Sequence, residues 1–151
     1  TNSAKMIYVV AGRYPELAFD FALANMAAVD QRVDATSRSV YYPGLASHPG
    51  HDIAQRQQRG FGAMVSFELM GGVENVKALL GGMELFSLAE SLGGVESLIA
   101  HPASMTHAAM DEAARERAGI SATLVRLSIG IEEGDDLARD LTAGLDAAGR
   151  V

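Results

Sequence analysis

Short polar side chains on glycine-bounded turns are the residues in this sequence best suited to chemistry, and residues 84–107 concentrate them. An apolar run at 85–88 is suited to a strand, and the chain then breaks at Gly93-Gly94. Polar groups on turns beside a rigid strand are typical of ligand sites. The candidates are Glu90, Ser91, Ser97, His101, Thr106 and His107. The alternative interpretation is that Ser91 and Ser97 only cap turns, or a helix that begins near Val95.

A second candidate is Arg126, which lies inside the apolar segment LVRLSIG at 124–130. In a strand, its side chain lies on the face opposite those of Val125 and Leu127. If that face is solvated, Arg126 is an ordinary surface charge. If the face borders a cleft, the guanidinium is a preferred partner for a carboxylate, which it can bind through two hydrogen bonds. The spacing leaves both possibilities open.

The four histidines do not form a convincing metal site. His48 and His51 are close in sequence, as are His101 and His107. Neither pair has an acidic third ligand at a typical spacing, and the chain contains no cysteine. We therefore expect loop histidines and no metal.

Alternation and glycine breaks predict the elements that position these candidates. Strands are expected at 40–42, 63–69, 85–88 and 124–130, and helices at 51–58, 73–80, 110–118 and 133–148. In the second strand, Val65, Phe67 and Leu69 share one face. The helix expected at 73–80 should direct Val73, Val76 and Leu80 toward the core.

This order of elements predicts an α+β fold. Strands joined by helices and long loops favour an antiparallel sheet of about four strands, with helices packed mainly on one face. An N-terminal helical segment precedes the sheet, because residues 16–33 carry an apolar stripe at helical spacing.

Composition sets the outer limits. The 151 residues suit one domain, and 48% hydrophobic residues are ample for a core. A net charge of −7 argues against nucleic-acid or anionic-membrane binding. The absence of cysteine excludes disulfides and thiolate catalysis. No apolar run is long enough to span a bilayer, and we expect no signal peptide and a cytoplasmic location.

Several separate motifs occur here in the order typical of one family. They are YYPGLASHPGHDIAQRQ, GFGAMVSFEL, AESLGGVESLIAHPASMTH, GIS-x-x-LVRLSIGIE and IEEGDDLARDL. From about Tyr41 to Leu145 the chain resembles the C-terminal domain of the Cys/Met-metabolism enzymes that use pyridoxal phosphate. These include cystathionine γ-synthases, cystathionine γ- and β-lyases and methionine γ-lyases.

The resemblance implies a substrate-binding site. In the family, the serine of the AESLGG run and the arginine of LVRLS bind the α-carboxylate of the amino-acid substrate, and these residues match Ser91 and Arg126. Glu90 matches a position said to distinguish cystathionine-type enzymes from methionine γ-lyases. Thr106 and His107 match a motif near the site, where we interpret them as structural.

The resemblance also implies what this chain lacks. Family members hold the cofactor through a lysine in a larger N-terminal domain, and neither Lys5 nor Lys77 stands in the family's Ser-x-Thr-Lys context. We therefore expect no cofactor-binding and no catalytic residue here, and no catalysis by the chain alone.

Residues 1–39 do not resemble the segment that precedes this domain in the family. They resemble, more weakly, the helical C-terminal domain of puromycin-sensitive-type zinc aminopeptidases, without that family's zinc motif. We therefore expect a hybrid chain, with 1–39 of different origin and 40–151 the pyridoxal-enzyme domain. A divergent linker is the alternative.

Three hypotheses about function follow. The chain is an inactive C-terminal domain, a subunit that needs a partner carrying the cofactor, or a shuffled or engineered hybrid that only folds and self-associates. A domain separated from its larger neighbour exposes apolar surface, so we expect a homodimer with the helices of residues 16–33 at or near its interface.

Overall fold

The structure of the protein, a computed structural model, describes residues 37–151. Along the chain the elements are β1 (Ser37–Tyr41), α1 (His51–Gln57), β2 (Met64–Leu69), α2 (Val73–Gly81), β3 (Ser87–Leu88), β4 (Leu98–Ala100), α3 (Glu112–Arg117), β5 (Leu124–Ser128) and α4 (Gly134–Ala148). The expected helical segment at 16–33 lies outside the described residues. Within the described part, no helix is long and apolar enough to cross a membrane.

The five strands form one sheet in the order β1-β2-β5-β4-β3. Three of the four strand pairs are antiparallel, and only β3 runs parallel to its neighbour β4. The predicted α+β class is therefore confirmed, with one strand more than expected. That strand is β4, whose three buried residues are too few to show a periodicity. The alternative of a helix beginning near Val95 is wrong, because residues 93–96 form bends and β4 begins at Leu98.

The core lies on one side of this sheet. On β2, Val65, Phe67 and Leu69 are buried while the residues between them are half-buried, so the predicted alternation is confirmed. Val125 and Leu127 of β5 join the same core. Helices α2 and α4 pack on this side, with α4 contributing Leu137, Leu141, Leu145 and Ala148.

The inward face of α2 differs from the prediction. Val76 and Leu79 are buried, whereas Val73 is 42% exposed and Leu80 only partly buried. Val73 is the first helical residue, so it lies at the edge of the contact with α4. Leu79 is fully buried because α4 passes closely over it: a Cβ added to Gly144 would lie 2.9 Å from the Leu79 carbonyl oxygen.

The predicted strand at 85–88 is shorter than expected. Only Ser87 and Leu88 pair with β4. The N–H groups of Leu85 and Phe86 donate instead to the carboxylate of Asp140 in α4. A side chain of a helix therefore replaces a neighbouring strand as their hydrogen-bond partner.

Candidate functional site

Arg126 lies in β5 on the sheet face opposite the core. Its neighbours Val125 and Leu127 are buried, and its cross-strand partners are Ser66 of β2 and Ala100 of β4. The prediction that its side chain faces away from Val125 and Leu127 is confirmed. This face carries none of the core helices, so a loop is able to cover it.

The loop between β3 and β4, residues 89–97, carries Ser91. The guanidinium of Arg126 contacts the backbone of this loop. Its Nη2 atom donates to the carbonyl oxygen of Ser91 at 3.0 Å and to that of Glu90 at 3.3 Å. Its Nε atom is buried and has no hydrogen-bond partner among the described residues. The structure therefore brings Arg126, Glu90 and Ser91 together, through main-chain oxygens of the two loop residues.

The side chains of Glu90 and Ser91 are exposed. Within residues 37–151, the structure records no hydrogen bond from the Ser91 hydroxyl or to the Glu90 carboxylate. Both side chains are therefore accessible from solvent.

Two further contacts hold the same loop against β5 and its continuation. The N–H of Gly93 donates to Oγ of Ser128 at 2.8 Å, and the N–H of Ile131 donates to the carbonyl oxygen of Val95 at 3.0 Å. Gly93 has a φ of +69°, a left-handed conformation that favours glycine. The loop is thus fastened at Glu90–Ser91, at Gly93 and at Val95.

Ser97 closes the loop at its C-terminal end. Its N–H and its hydroxyl both donate to the Glu132 carboxylate, at 2.6 and 2.8 Å, and its Oγ accepts from the N–H of Gly130 at 2.9 Å. Ser97 is fully buried. It therefore acts as a structural hydrogen-bonding centre, which agrees with neither a ligand contact nor a simple turn cap.

The segment before β3 is fixed from the other side of the sheet. Asp140, buried in α4, accepts hydrogen bonds from the N–H groups of Glu84, Leu85 and Phe86 at 2.7, 2.9 and 3.2 Å. This carboxylate sets where β3 begins. The segment before β3 and the C-terminal end of the loop are therefore both anchored to buried groups.

Sequence reasoning missed Ser128 and Asp140, although each left a signal. Ser128 is two residues after Arg126, so alternation puts both on one face. Asp140 lies between Leu137 and Leu141 on the apolar stripe of α4, where an unpaired acid would be unfavourable. Neither signal identifies the partner, which comes from a distant part of the chain.

The histidines are not grouped as metal ligands. Among the described residues, no three His, Asp or Glu side chains are placed to share a metal ion. His101 is buried and joins β4 to the segment before β5: its Nε2 lies 3.0 Å from the Ala122 carbonyl oxygen and its Nδ1 2.7 Å from Oγ of Ser104. Since a carbonyl can only accept, Nε2 donates to the Ala122 oxygen. Thr106 and His107 hydrogen-bond to each other at the surface.

The described residues do not fit pyridoxal phosphate as a covalently held group. Their one lysine, Lys77, lies on the exposed side of α2 in an ion pair with Glu74 at 2.7 Å. Helix α2 packs on the core side of the sheet, whereas Arg126 lies on the other side. Lys77 therefore cannot present its amine to a group bound beside Arg126.

Comparisons with known proteins agree on one family. The model for the Cys/Met metabolism PLP-dependent enzyme family matches residues 23–146. Cystathionine gamma-synthase of Escherichia coli (strain K12) is 58% identical over 113 residues, which are 75% of this chain and 29% of that protein. L-methionine gamma-lyase of Fusobacterium nucleatum subsp. polymorphum is 57% identical over 107 residues, 71% of this chain and 27% of that protein.

The fold agrees as well. A crystal structure of cystathionine gamma synthase from Xanthomonas oryzae pv. oryzae, in complex with cystathionine, matches with a TM-score of 0.77 and 58% identity. The match covers 87% of this chain and 35% of that one. The chain thus spans between 27% and 35% of the length of these relatives.

The expected resemblance of residues 1–39 to zinc aminopeptidases has no support in these comparisons. The family match begins at residue 23, so the likeness starts earlier than the expected Tyr41. Apolar stripes at helical spacing recur in many unrelated helices, which explains the misleading similarity. The division of the chain at residue 39 stays a prediction. Since the family model matches well over half of the 151 residues, the chain belongs to the Cys/Met metabolism PLP-dependent enzyme family.

Proposed function

We propose that this chain supplies the substrate α-carboxylate pocket of an enzyme of the cystathionine γ-synthase and γ-lyase type, with Arg126 and Ser91 binding the carboxylate. The observation that carries the proposal is the position of the Arg126 guanidinium. It reaches the Ser91 loop on the face away from the core and, within residues 37–151, forms no ion pair with an acidic side chain. A charge in this setting is suited to an incoming carboxylate.

The accessible donors of Arg126 define how the carboxylate approaches. Nε is buried, and Nη2 contacts the carbonyls of Glu90 and Ser91. A carboxylate therefore meets the guanidinium end-on, through Nη1 and Nη2. The exposed Ser91 hydroxyl supplies one further donor. Together these groups orient the α-carbon of the substrate, which is how positioning lowers a reaction barrier.

Glu90 adds selectivity to this pocket. A carboxylate at this position of the loop attracts an ammonium group of the ligand. We propose that Glu90 favours zwitterionic substrates with an additional amino group, such as cystathionine, over those with an apolar side chain. This agrees with the distinction that the family resemblance implies for the position.

Pyridoxal phosphate, when bound in such enzymes, supplies the electron sink for reactions at the substrate α-carbon. The proposal assigns none of its contacts to residues 37–151. We predict that added pyridoxal phosphate forms no stoichiometric adduct with the purified chain after borohydride reduction, as read by mass spectrometry. A stoichiometric reduced adduct at Lys5 or Lys77, together with elimination from cystathionine by the mixture before reduction, would contradict this.

The carboxylate pocket is tested by NMR titration of the chain with L-cystathionine. We expect saturable shifts of the amide signals of residues 90–94. Arg126→Lys should weaken binding about tenfold, because an ammonium lacks the fork-shaped donor geometry. Arg139→Ala is the matched control: this exposed arginine pairs with Asp136 on α4 and should leave binding unchanged.

A second arm alters the ligand and leaves the protein intact. The dimethyl ester of L-cystathionine keeps both ammonium groups and lacks carboxylates, so it should not bind at this loop. Equal shifts of the amide signals of residues 90–94 with the ester and the free amino acid would contradict the proposal, regardless of the affinities of the Arg126 and Arg139 variants.

We also propose that the chain self-associates into a homodimer. The support is a group of exposed apolar side chains around the same loop, including Leu88 and Leu92 at 56% and 52% exposure. Apolar surface grouped in this way favours burial against another protein surface.

A further inference from the structure

We infer that Ser128 is a positioning residue of this pocket: its hydroxyl holds the loop that carries Ser91 while Arg126 engages a carboxylate. The inference rests on the proposed carboxylate-binding function and adds a residue to it.

The first support is the shared face of strand β5. Ser128 follows Arg126 by two residues, so both side chains lie on the face that the loop covers. Arg126 takes the carbonyl oxygens of Glu90 and Ser91, and Ser128 takes the N–H of Gly93 at 2.8 Å. Strand β5 therefore hydrogen-bonds to the loop both before and after Leu92 in the chain.

The second support is that the contacts of Arg126 and of Ser128 with the loop respond differently to a ligand. A carboxylate on the Nη atoms of Arg126 competes with the carbonyls of Glu90 and Ser91 for the same donors. The bond from Gly93 to Ser128 is neutral and shares no atom with the ligand. Ser128 is only 2% exposed, so water does not replace it readily. It is the side-chain contact closest to Ser91 in the chain that remains once Arg126 binds a ligand.

The third support is the conformation of Gly93. Its φ of +69° is left-handed and favours glycine, and in this conformation its N–H donates to Oγ of Ser128 at 2.8 Å. Without an acceptor at position 128, this N–H would remain partly buried and unpaired, which is unfavourable. The loop would then move away from β5 to find water.

The test compares Ser128→Ala with Ser121→Ala in the full 151-residue chain. Ser121 is the matched control, since its hydroxyl is also buried but has no hydrogen-bond partner among the described residues. Two quantities are measured by NMR for each variant: the hydrogen-exchange rate of the Gly93 amide relative to that of the Ile99 amide in β4, and the dissociation constant for L-cystathionine.

Ser128→Ala should speed Gly93 exchange relative to Ile99 by roughly fivefold and weaken ligand binding by a similar factor, as expected for one lost hydrogen bond. Ser121→Ala should change neither quantity. If Ser128→Ala does not fold, Ser128→Cys serves in its place: it preserves the side-chain size and has a weaker acceptor, so smaller changes in the same direction are expected.

Faster Gly93 exchange with unchanged ligand affinity would overturn the positioning role, because the hydroxyl would then be structural only. Unchanged exchange would overturn it as well. Failure of the unaltered chain to bind L-cystathionine would instead overturn the proposed function, and the positioning role with it.

Discussion

Three successive backbone N–H groups donate to one carboxylate, that of Asp140. Hydrogen bonds to a charged acceptor in a buried setting are among the stronger ones. We predict that Asp140→Ala lowers the free energy of unfolding by about 3 kcal/mol, since it leaves these N–H groups unpaired. Urea unfolding monitored by circular dichroism measures this.

Glu116→Gln on the exposed surface of α3 is the control for that measurement, and it should change stability by less than about 0.5 kcal/mol. A loss below about 1 kcal/mol for Asp140→Ala would show that the start of β3 is held by other contacts.

A second residue-level prediction concerns Tyr42, which is buried at 1% exposure and donates to the Gly62 carbonyl oxygen. Burial raises the pKa of its hydroxyl above the usual value. The folded protein therefore keeps this group neutral to a higher pH than the unfolded chain does. Its contribution is fully present below about pH 10 and is lost as the pH rises from there through the folded-state pKa.

The measurement is urea unfolding between pH 8 and 11.5. Tyr42→Phe should flatten the decline of stability above about pH 10. Burial and the Glu68 carboxylate also raise the pKa of Tyr41, so Tyr41→Phe should flatten it as well. Parallel alkaline profiles for Tyr42→Phe and the unaltered chain would refute the assignment.

At the scale of elements, the contact between α2 and α4 depends on a glycine. A Cβ at Gly144 would lie 2.6 Å from Cγ of Met83 and 2.9 Å from the Leu79 carbonyl oxygen. Since a backbone oxygen cannot rotate away, α4 would have to shift. We predict that Gly144→Ala lowers stability by about 2 kcal/mol, measured by thermal and urea unfolding.

Gly81 supplies the matched comparison, because it lies at the end of α2 and a Cβ there would meet nothing within 4 Å. Gly81→Ala should be neutral or raise stability by about 0.5 kcal/mol. A Gly144→Ala variant as stable as Gly81→Ala would contradict the close packing of the two helices.

Elements with a clear period could be predicted from the sequence. Strands β2 and β5 and helix α4 have an apolar pattern that continues long enough to reveal the period, and their bounds agree with expectation within two residues. Strand β4 could not be found this way, because three consecutive buried residues fit a strand and a helix equally well.

In the candidate site too, only the features that depend on a local pattern could be predicted from the sequence. Alternation predicted the face of Arg126, since that depends only on its neighbours in the strand. The carbonyl partners of Arg126, and the contacts of Ser128 and Asp140, join residues 35 to 56 positions apart in the chain. Such contacts follow from the packing of the whole sheet, which no local pattern encodes.

At the scale of the molecule, half of the exposed large apolar side chains of residues 37–151 belong to one region. Leu85, Leu88, Leu92, Val95 and Ile131 are 45–56% exposed and lie on or beside the loop. We predict dimers in sedimentation velocity at micromolar concentration. Leu88→Glu should raise the dissociation constant at least about tenfold, because it places a charge in the buried surface.

Ile53→Glu is the control. Ile53 is 52% exposed and lies on α1, far in sequence from the five apolar residues named above. It should leave the dissociation constant unchanged. A monomer at every concentration, or equal effects of the two substitutions, would contradict the expected homodimer.

The parallel pairing of β3 with β4 has a consequence for how this site can vary. Two parallel neighbours need a crossover connection, which in most proteins is a helix with its loops. Here residues 89–97 make the crossover without a helix, and they pass over the face that carries Arg126 and Ser128. Surface loops generally tolerate insertions and deletions. This one also carries Glu90 and Ser91, whose carbonyl oxygens Arg126 contacts, so a change in its length would disturb these contacts. We therefore expect the substrate preference of the proposed pocket to change by substitution within this loop rather than by insertion.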